Sequence, residues 1–302
     1  MAYLAGLVVL AFVHPFLPAW RWTAIHLLLL GAVSNAVVVW SAHFAAAVLR
    51  APAPDRRRAE AARLAALNVG VLAVLTGGTA DRPWLGVAGA TLVFVAVTAH
   101  LVALTRRLRR ALPARFSVTV RYYLAATVAL LAGVPVGAGM LVIDDPLRPR
   151  LLLFHAHVNL LGWVTLTVLG TLLTLWPTVL RTRMADGAVR AATVALPVAT
   201  TGLVLLGVGL LAWWRLVAAA GLSLFALGAL IARAPRWPSR APAPVRVRVL
   251  VARRGRRLAD GRSPWTPRRC CPLRTRPARP TASVRCCSRC WSASSPRSSS
   301  EP

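Results

Sequence analysis

The sequence predicts an all-α fold: a polytopic membrane bundle of about eight transmembrane helices, followed by a disordered basic tail. The first observation is composition, because 57% of the 302 residues are hydrophobic and only 15% are charged. The second is a mean hydropathy of +0.61, which excludes an ordinary soluble domain. The third is the charge distribution, since all 37 basic residues are Arg and eighteen of them lie in residues 233–302. These observations divide the chain into a transmembrane bundle, residues 1–232, and a tail, residues 233–302.

Eight apolar runs approach or exceed the length at which an α-helix crosses a bilayer core, which takes about 20 residues. In chain order they are residues 2–18, 22–49, 64–80, 84–105, 119–143, 150–180, 192–213 and 215–232. The third and eighth runs are short, and the boundary between the last two, near Trp213 and Arg215, is indistinct. Seven helices are therefore the alternative count.

Arginine in the short loops predicts the orientation, because cytoplasmic loops carry an excess of basic residues. Fourteen Arg lie in or beside the segments that follow the second, fourth and sixth runs: Arg50, Arg56, Arg57, Arg58, Arg63, Arg106, Arg107, Arg109, Arg110, Arg115, Arg121, Arg181, Arg183 and Arg190. We therefore expect a multi-pass protein of a bacterial cell membrane with its N-terminus and its tail in the cytoplasm. Residues 1–18 lack a basic start and a cleavage site, so they are predicted as the first span rather than a signal peptide.

All six histidines fall inside predicted spans: His14, His26, His43, His100, His155 and His157. An imidazole in hydrocarbon needs a partner, which makes intramembrane histidines candidates for metal or cofactor ligands. The alternative for each is a hydrogen bond to a carbonyl or hydroxyl inside the bundle. In the predicted orientation His43 and His100 lie toward the inner face, and the other four lie toward the outer face.

The placement of the outer histidines suits a haem. Two axial imidazoles from different helices are what a six-coordinate haem iron needs, and the second and sixth helices run in the same direction. His155 and His157 are about 200° apart around their helix. They therefore project to nearly opposite sides, which argues against a compact zinc or copper site built on one helix.

The second and sixth helices also share a pattern. An offset of 131 residues aligns His26 with His157 in the common string H-x-x-L-L-G-x-V, and it then aligns Arg50 with Arg181 at the end of V-L-R. Gly31 and Gly162 each follow the aligned histidine by five residues, on a similar face. The missing side chains there would admit either a flat macrocycle or another helix.

The string FHAHVNLLGWVTLTVLGTLLTLWPTVLRTRM at 154–184 resembles the small membrane proteins related to haem-copper oxidase catalytic subunits, including NnrS-type and nitric-oxide-reductase-like proteins. The second helix, WTAIHLLLLGAVSNAVVVWSAHFAAAVLR at 22–50, is similar to the partner helix of that group. The resemblance implies that His26 and His157 are axial ligands of a b-type haem, with His155 available to a second site. It also implies metal roles to consider for His14, His43 and His100.

The same resemblance limits the reaction. Haem-copper oxidases hold copper with a His-His pair that this sequence lacks, so any enzymatic role would be that of an oxidoreductase component without a complete haem-copper centre. The bundle is also similar to membrane domains that precede copper oxidase or copper nitrite reductase domains. This similarity implies an outer copper protein or a quinol as partner, with copper as the alternative cofactor.

Three functions remain open from the sequence. The first is a haem-binding membrane module that transfers electrons to an outer acceptor. The second is a sensor or carrier of NO, haem or copper, since an exchangeable histidine would leave a coordination position. The third is a transporter or structural bundle without a cofactor, in which histidines relay protons. No Asp or Glu falls inside a predicted span, which disfavours a proton-coupled carrier.

The tail is rich in Arg, Pro, Ser and Cys, and this composition is typical of disorder. Its Cys287-Ser-Arg-Cys290 spacing has no second pair and no flanking His, so we do not interpret it as a metal site. We expect no nucleic-acid partner. Reading the codons of 286–300 two bases later converts the tail into apolar residues, so our hypothesis is that the C-terminus results from a frameshift.

Overall fold

The computed structural model describes residues 2–17, 19–50, 57–143, 146–181 and 184–233. Helical structure takes up 88% of these residues, and no strand occurs among them. The eight helices are α1 (Ala2–Val13), α2 (Trp20–Leu49), α3 (Arg57–Thr79), α4 (Pro83–Arg110), α5 (Ser117–Gly139), α6 (Arg148–Val179), α7 (Ala188–Leu211) and α8 (Arg215–Arg233). The predicted all-α membrane bundle is confirmed. The predictions for residues 234–302 lie outside the described residues.

Seven of these helices, α2 to α8, are long and apolar enough to cross a bilayer. The first helix is apolar but has only 12 residues, and a 3₁₀ turn at His14–Phe16 continues it. At 1.5 Å per residue α1 extends about 18 Å, which is less than a bilayer core of roughly 30 Å. The predicted count of about eight is thus met by seven full-length helices and one shorter one.

Two boundaries differ from the sequence prediction or make it definite. The third helix begins at Arg57, seven residues before the predicted run, so Glu60 lies in its first turn. One carboxylate therefore does fall within a candidate span, at its basic end. The indistinct boundary between the last two helices is a tight turn, because α7 ends at Leu211, Trp213 adopts a left-handed φ of 59°, and α8 begins at Arg215.

Two helical hairpins, α3–α4 and α7–α8, pack through small residues. A Cβ added at Gly89 of α4 would lie 2.6 Å from the Val74 nitrogen of α3, and one added at Gly228 of α8 would lie 2.7 Å from the Ala199 nitrogen of α7. Only glycine allows backbones to approach this closely, which is how membrane helices gain packing energy without a hydrophobic driving force. Each hairpin is therefore held by backbone contact.

The chain consists of two halves, α1–α4 and α5–α8, that share the same irregularities at a nearly constant spacing. Both α2 and α6 widen into a π-helix directly after the aligned histidine, at Leu27–Val33 and Val158–Thr165. Arg50 and Arg181, which end these helices, have φ values of 49° and 51°. The turns that end α3 and α7 hold left-handed residues again, at Asp81 and Trp213. The offset of 131 found in one pair of helices thus extends, within one residue, to the hairpins that follow them.

The side chains around the two π-helices follow the same offset. Ser34 donates to the Leu29 carbonyl at 2.9 Å, and its counterpart Thr165 donates to the Leu160 carbonyl at 2.9 Å. Each hydroxyl thus reaches five residues back, as the wider turn requires. π-Helical turns inside α-helices occur frequently at functional sites, so both segments mark the region to search.

Candidate cofactor site

The structure brings two histidines together in the middle of the bundle. The rings of His26 on α2 and His155 on α6 have centroids 6.3 Å apart and planes inclined by only 21°. Both side chains are partly buried. Each histidine lies at the N-terminal side of a π-helix, so the pair spans the two equivalent helices of the two halves.

Backbone carbonyls fix the tautomer of both rings. The Nδ1 atom of His26 lies 2.8 Å from the Trp22 carbonyl oxygen, and Nδ1 of His155 lies 2.9 Å from the Gly133 carbonyl oxygen. Because a carbonyl can only accept, each Nδ1 must carry the proton. The Nε2 lone pair of each ring is then available to a metal, which is the usual arrangement of metal-binding histidines.

Residues of α5 and α6 position His155. A Cβ at Gly137 would lie 2.6 Å from its Cε1 atom, so this glycine makes room for the ring. Asn159, one turn further along α6, packs against Gly133 and donates to the His155 carbonyl at 2.8 Å. Its Nδ2 also lies 3.3 Å from Nδ1 of His155, but the shorter contact to the Gly133 carbonyl determines the proton position. The sequence analysis missed these glycines, although their G-x-x-x-G spacing is a signal of close helix packing.

Trp22 forms the wall beside His26. Its indole stacks on the His26 ring at a centroid distance of 4.2 Å and an interplanar angle of 28°. The far side of the indole lies against Gly78 of α3. One turn of helix therefore supplies His26 with both its carbonyl acceptor and its aromatic neighbour.

His157 lies on another side of α6 from His155, as the spacing predicted. Its Nδ1 lies 2.8 Å from the Leu153 carbonyl, four residues back, which repeats the His26–Trp22 bond of the first half. The structure thus pairs His26 with His155, whereas the resemblance implied a pair of His26 and His157. The metal role of His157 stays a prediction.

The other three histidines lie apart from this pair. His14 bonds to the Ala11 carbonyl at 2.9 Å and meets Trp20 edge-on. His43 is exposed on α2 beside Trp40 and Phe44. His100 is 1% exposed, and its Nε2 lies 3.0 Å from the Ser41 hydroxyl. His43 and His100, predicted as an inner pair, therefore have different neighbours.

Neighbouring helices occupy the space in front of the two predicted glycines. A Cβ at Gly31 would lie 2.6 Å from the Tyr3 ring of α1, and one at Gly162 would meet the Ala129 side chain of α5. Of the two interpretations of these glycines, a macrocycle or another helix, the structure favours helix packing at both positions.

A chain of polar side chains joins α1, α3 and α2 near the first π-helix. The Tyr3 hydroxyl donates to Oδ1 of Asn68 at 2.7 Å, and Nδ2 of Asn68 donates to Oδ1 of Asn35 at 2.9 Å. Asn35 in turn donates to the Gly31 carbonyl at 2.8 Å. Each amide therefore has a partner, as burial in an apolar bundle requires.

Among the described residues, no three His, Cys, Asp or Glu side chains form a group that could hold a metal ion. Comparison with known proteins finds no matching family model, no matching curated protein and no matching solved structure. The fold and the site together define the chain as a polytopic α-helical membrane protein with an intramembrane histidine pair.

Proposed function

We propose that the chain is a membrane-embedded haem b protein that transfers electrons, with His26 and His155 as its axial ligands. The observation that carries this proposal is the pair of nearly parallel imidazoles on different helices, 6.3 Å apart, with both Nδ1 atoms occupied by carbonyls. This assignment replaces His157, the ligand that the resemblance implied, by His155.

The spacing of the rings fits two ligands of one metal. Imidazole nitrogens bind metals at about 2.0 Å, so two rings on opposite sides of one ion have centroids on the order of 6 Å apart. A haem iron needs only two ligands from the protein, since the porphyrin supplies the other four. The donor set therefore suits haem.

The residues of the chain hold, orient and enclose the ligands. When bound, the haem iron supplies the one-electron redox change. The Trp22 and Gly133 carbonyls keep each Nδ1 protonated and each Nε2 directed away from the helix that bears the carbonyl. The Trp22 indole covers His26, which lowers the local dielectric. An outer copper protein or a quinol is the proposed redox partner.

A copper carrier is the second candidate, because the same two Nε2 atoms suit copper as well. A sensor that exchanges one ligand and a cofactor-free bundle are the further alternatives from the sequence. All of them are separated by the content of the purified protein.

The test is an absorption spectrum of the full chain, expressed with haem supply and purified in detergent. We expect a Soret band and, after dithionite, the sharp visible bands of six-coordinate b haem. His26→Ala and His155→Ala should each abolish or broaden these bands. His157→Ala is the matched control, since it removes an imidazole two residues away on the same helix.

Other results would contradict the proposal. A folded, colourless wild-type protein with one bound copper would establish the second candidate, and one without any metal would favour the cofactor-free bundle. Loss of the bands in His157→Ala but not in His155→Ala would restore the ligand pair implied by the resemblance.

A further inference from the structure

A cavity opens at the arginine-rich end of the bundle, where α2 and α4 end and α5 begins. Its volume is about 560 Å³. The walls include Leu49 of α2, Leu108 of α4 and the segment between α4 and α5, and none of the described lining residues is acidic. This cavity is far along α2 from His26 and takes no part in the proposed cofactor site.

Three positive features face this cavity. Arg115 and Arg121 both line it, and both are exposed rather than paired within the core. Ser117, the first residue of α5, also lines it, and no side chain caps that helix end. The N-terminus of a 23-residue helix carries a partial positive charge and free N–H groups. The three features together favour an anion at the mouth of the cavity.

The remaining wall is apolar and partly uncovered. Leu49 is 4% exposed and belongs to a small hydrophobic cluster with Tyr123 and Leu104. Leu112, next to Pro113 at the rim, is 84% exposed. An exposed leucine of this size beside two arginines requires a ligand that is apolar at one end and anionic at the other.

We propose that this cavity binds one anionic phospholipid of the leaflet that faces the arginine-rich loops. The phosphate lies between Arg115, Arg121 and the first turn of α5, and an acyl chain covers Leu112 and Leu108. Membrane proteins bind anionic head groups in basic pockets between their helices on this side of the bilayer. Charge complementarity selects an anionic over a zwitterionic lipid.

The experiment measures lipid retention by native mass spectrometry of the full chain, after exchange into detergent containing equal phosphatidylglycerol and phosphatidylcholine. We expect one phosphatidylglycerol to remain bound. The double variant Arg115→Gln/Arg121→Gln should weaken its retention about thirtyfold, since each basic residue near an anionic surface contributes on the order of 1 kcal/mol.

Two further variants separate this site from general attraction. Arg106→Gln/Arg109→Gln removes the same charge from exposed positions at the same end, outside the cavity, and should keep the lipid. Ala114→Leu fills the cavity while both arginines remain, and should displace the lipid without lowering the thermal midpoint.

Three outcomes would overturn the proposal. Equal losses in the two double variants would mean that the attraction depends on net charge alone. Equal retention of phosphatidylcholine would mean that the cavity does not recognise the phosphate's surroundings. Displacement of the lipid by equimolar glycerol phosphate would mean that the apolar wall adds nothing. A folded Ala114→Leu protein that still retains the lipid would place it elsewhere.

Discussion

Trp163 of α6 donates its indole N–H to the hydroxyl of Ser34 on α2 over 3.0 Å, in a position where the indole is only 2% exposed. The contact lies eight residues beyond His26 on one helix and eight beyond His155 on the other. The two helices therefore run side by side in the same direction, linked at two levels.

Ser34→Ala should destabilise the bundle by about 1–2 kcal/mol, because it leaves the buried indole N–H without an acceptor. Membrane hydrogen bonds between helices contribute less on average, about 0.6 kcal/mol, so the buried orphan donor supplies most of the effect. Unfolding in mixed micelles measures the change. Thr98→Val is the control, because Thr98 bonds to the carbonyl of Phe94 on an exposed face; an equal effect of both variants would contradict the prediction.

Gly137→Ala should displace the His155 ring, since the added Cβ would lie 2.6 Å from its Cε1 atom. We expect the variant to lose the low-spin visible bands while remaining folded. Gly139→Ala is the matched control on the same helix, because its nearest neighbour, Ile143, would be 3.8 Å away. Bands that survive in Gly137→Ala would show that His155 does not need its present position.

Tyr3→Phe should loosen α1 from the rest of the bundle. The hydroxyl of Tyr3 donates to Asn68 at 2.7 Å, and α1 is too short to be held by the bilayer alone. We expect a loss of about 1 kcal/mol and faster cleavage near residue 17 in limited proteolysis. Tyr122→Phe, which removes a hydroxyl bonded to the Ala192 carbonyl in the core, should leave the cleavage rate at residue 17 unchanged.

Gly89→Ala and Gly228→Ala should each destabilise one hairpin by about 1–3 kcal/mol, because the new methyl group would lie within 2.7 Å of the facing backbone. The two hairpins are separate units of packing, so the double variant should show nearly additive losses. Thermal unfolding of the two single variants and the double variant measures this. A loss that is much smaller in the double variant than the sum would show that the hairpins unfold together.

Most of the fold could be predicted from the sequence, because apolar length and loop arginines are local properties. All eight helices lie at the predicted places, and the turn at Trp213 resolves the one ambiguous boundary. The short first helix was overestimated, since Pro15 and Pro18 lie in an apolar run but break the helix after Val13.

The candidate site could be predicted only in part. The two-residue spacing of His155 and His157 correctly implied different sides of α6, but not which side faces α2. That choice depends on the packing of α6 against Gly133 and Gly137, and such tertiary contacts leave no mark in the periodicity of a leucine-rich helix. The carbonyl bonds that orient both rings are likewise absent from any motif.

The repeated irregularities at offsets of 131–132 residues have a consequence for the ancestry of the chain. They indicate that a gene for a four-helix protein was duplicated and fused, and that two copies of this ancestor once met as a symmetric dimer. The counterpart of His26 is His157, but the counterpart of His155 is Ala24. The histidine pair therefore combines a position common to both copies with one found in a single copy, so it belongs to the fused gene rather than to its symmetric parent.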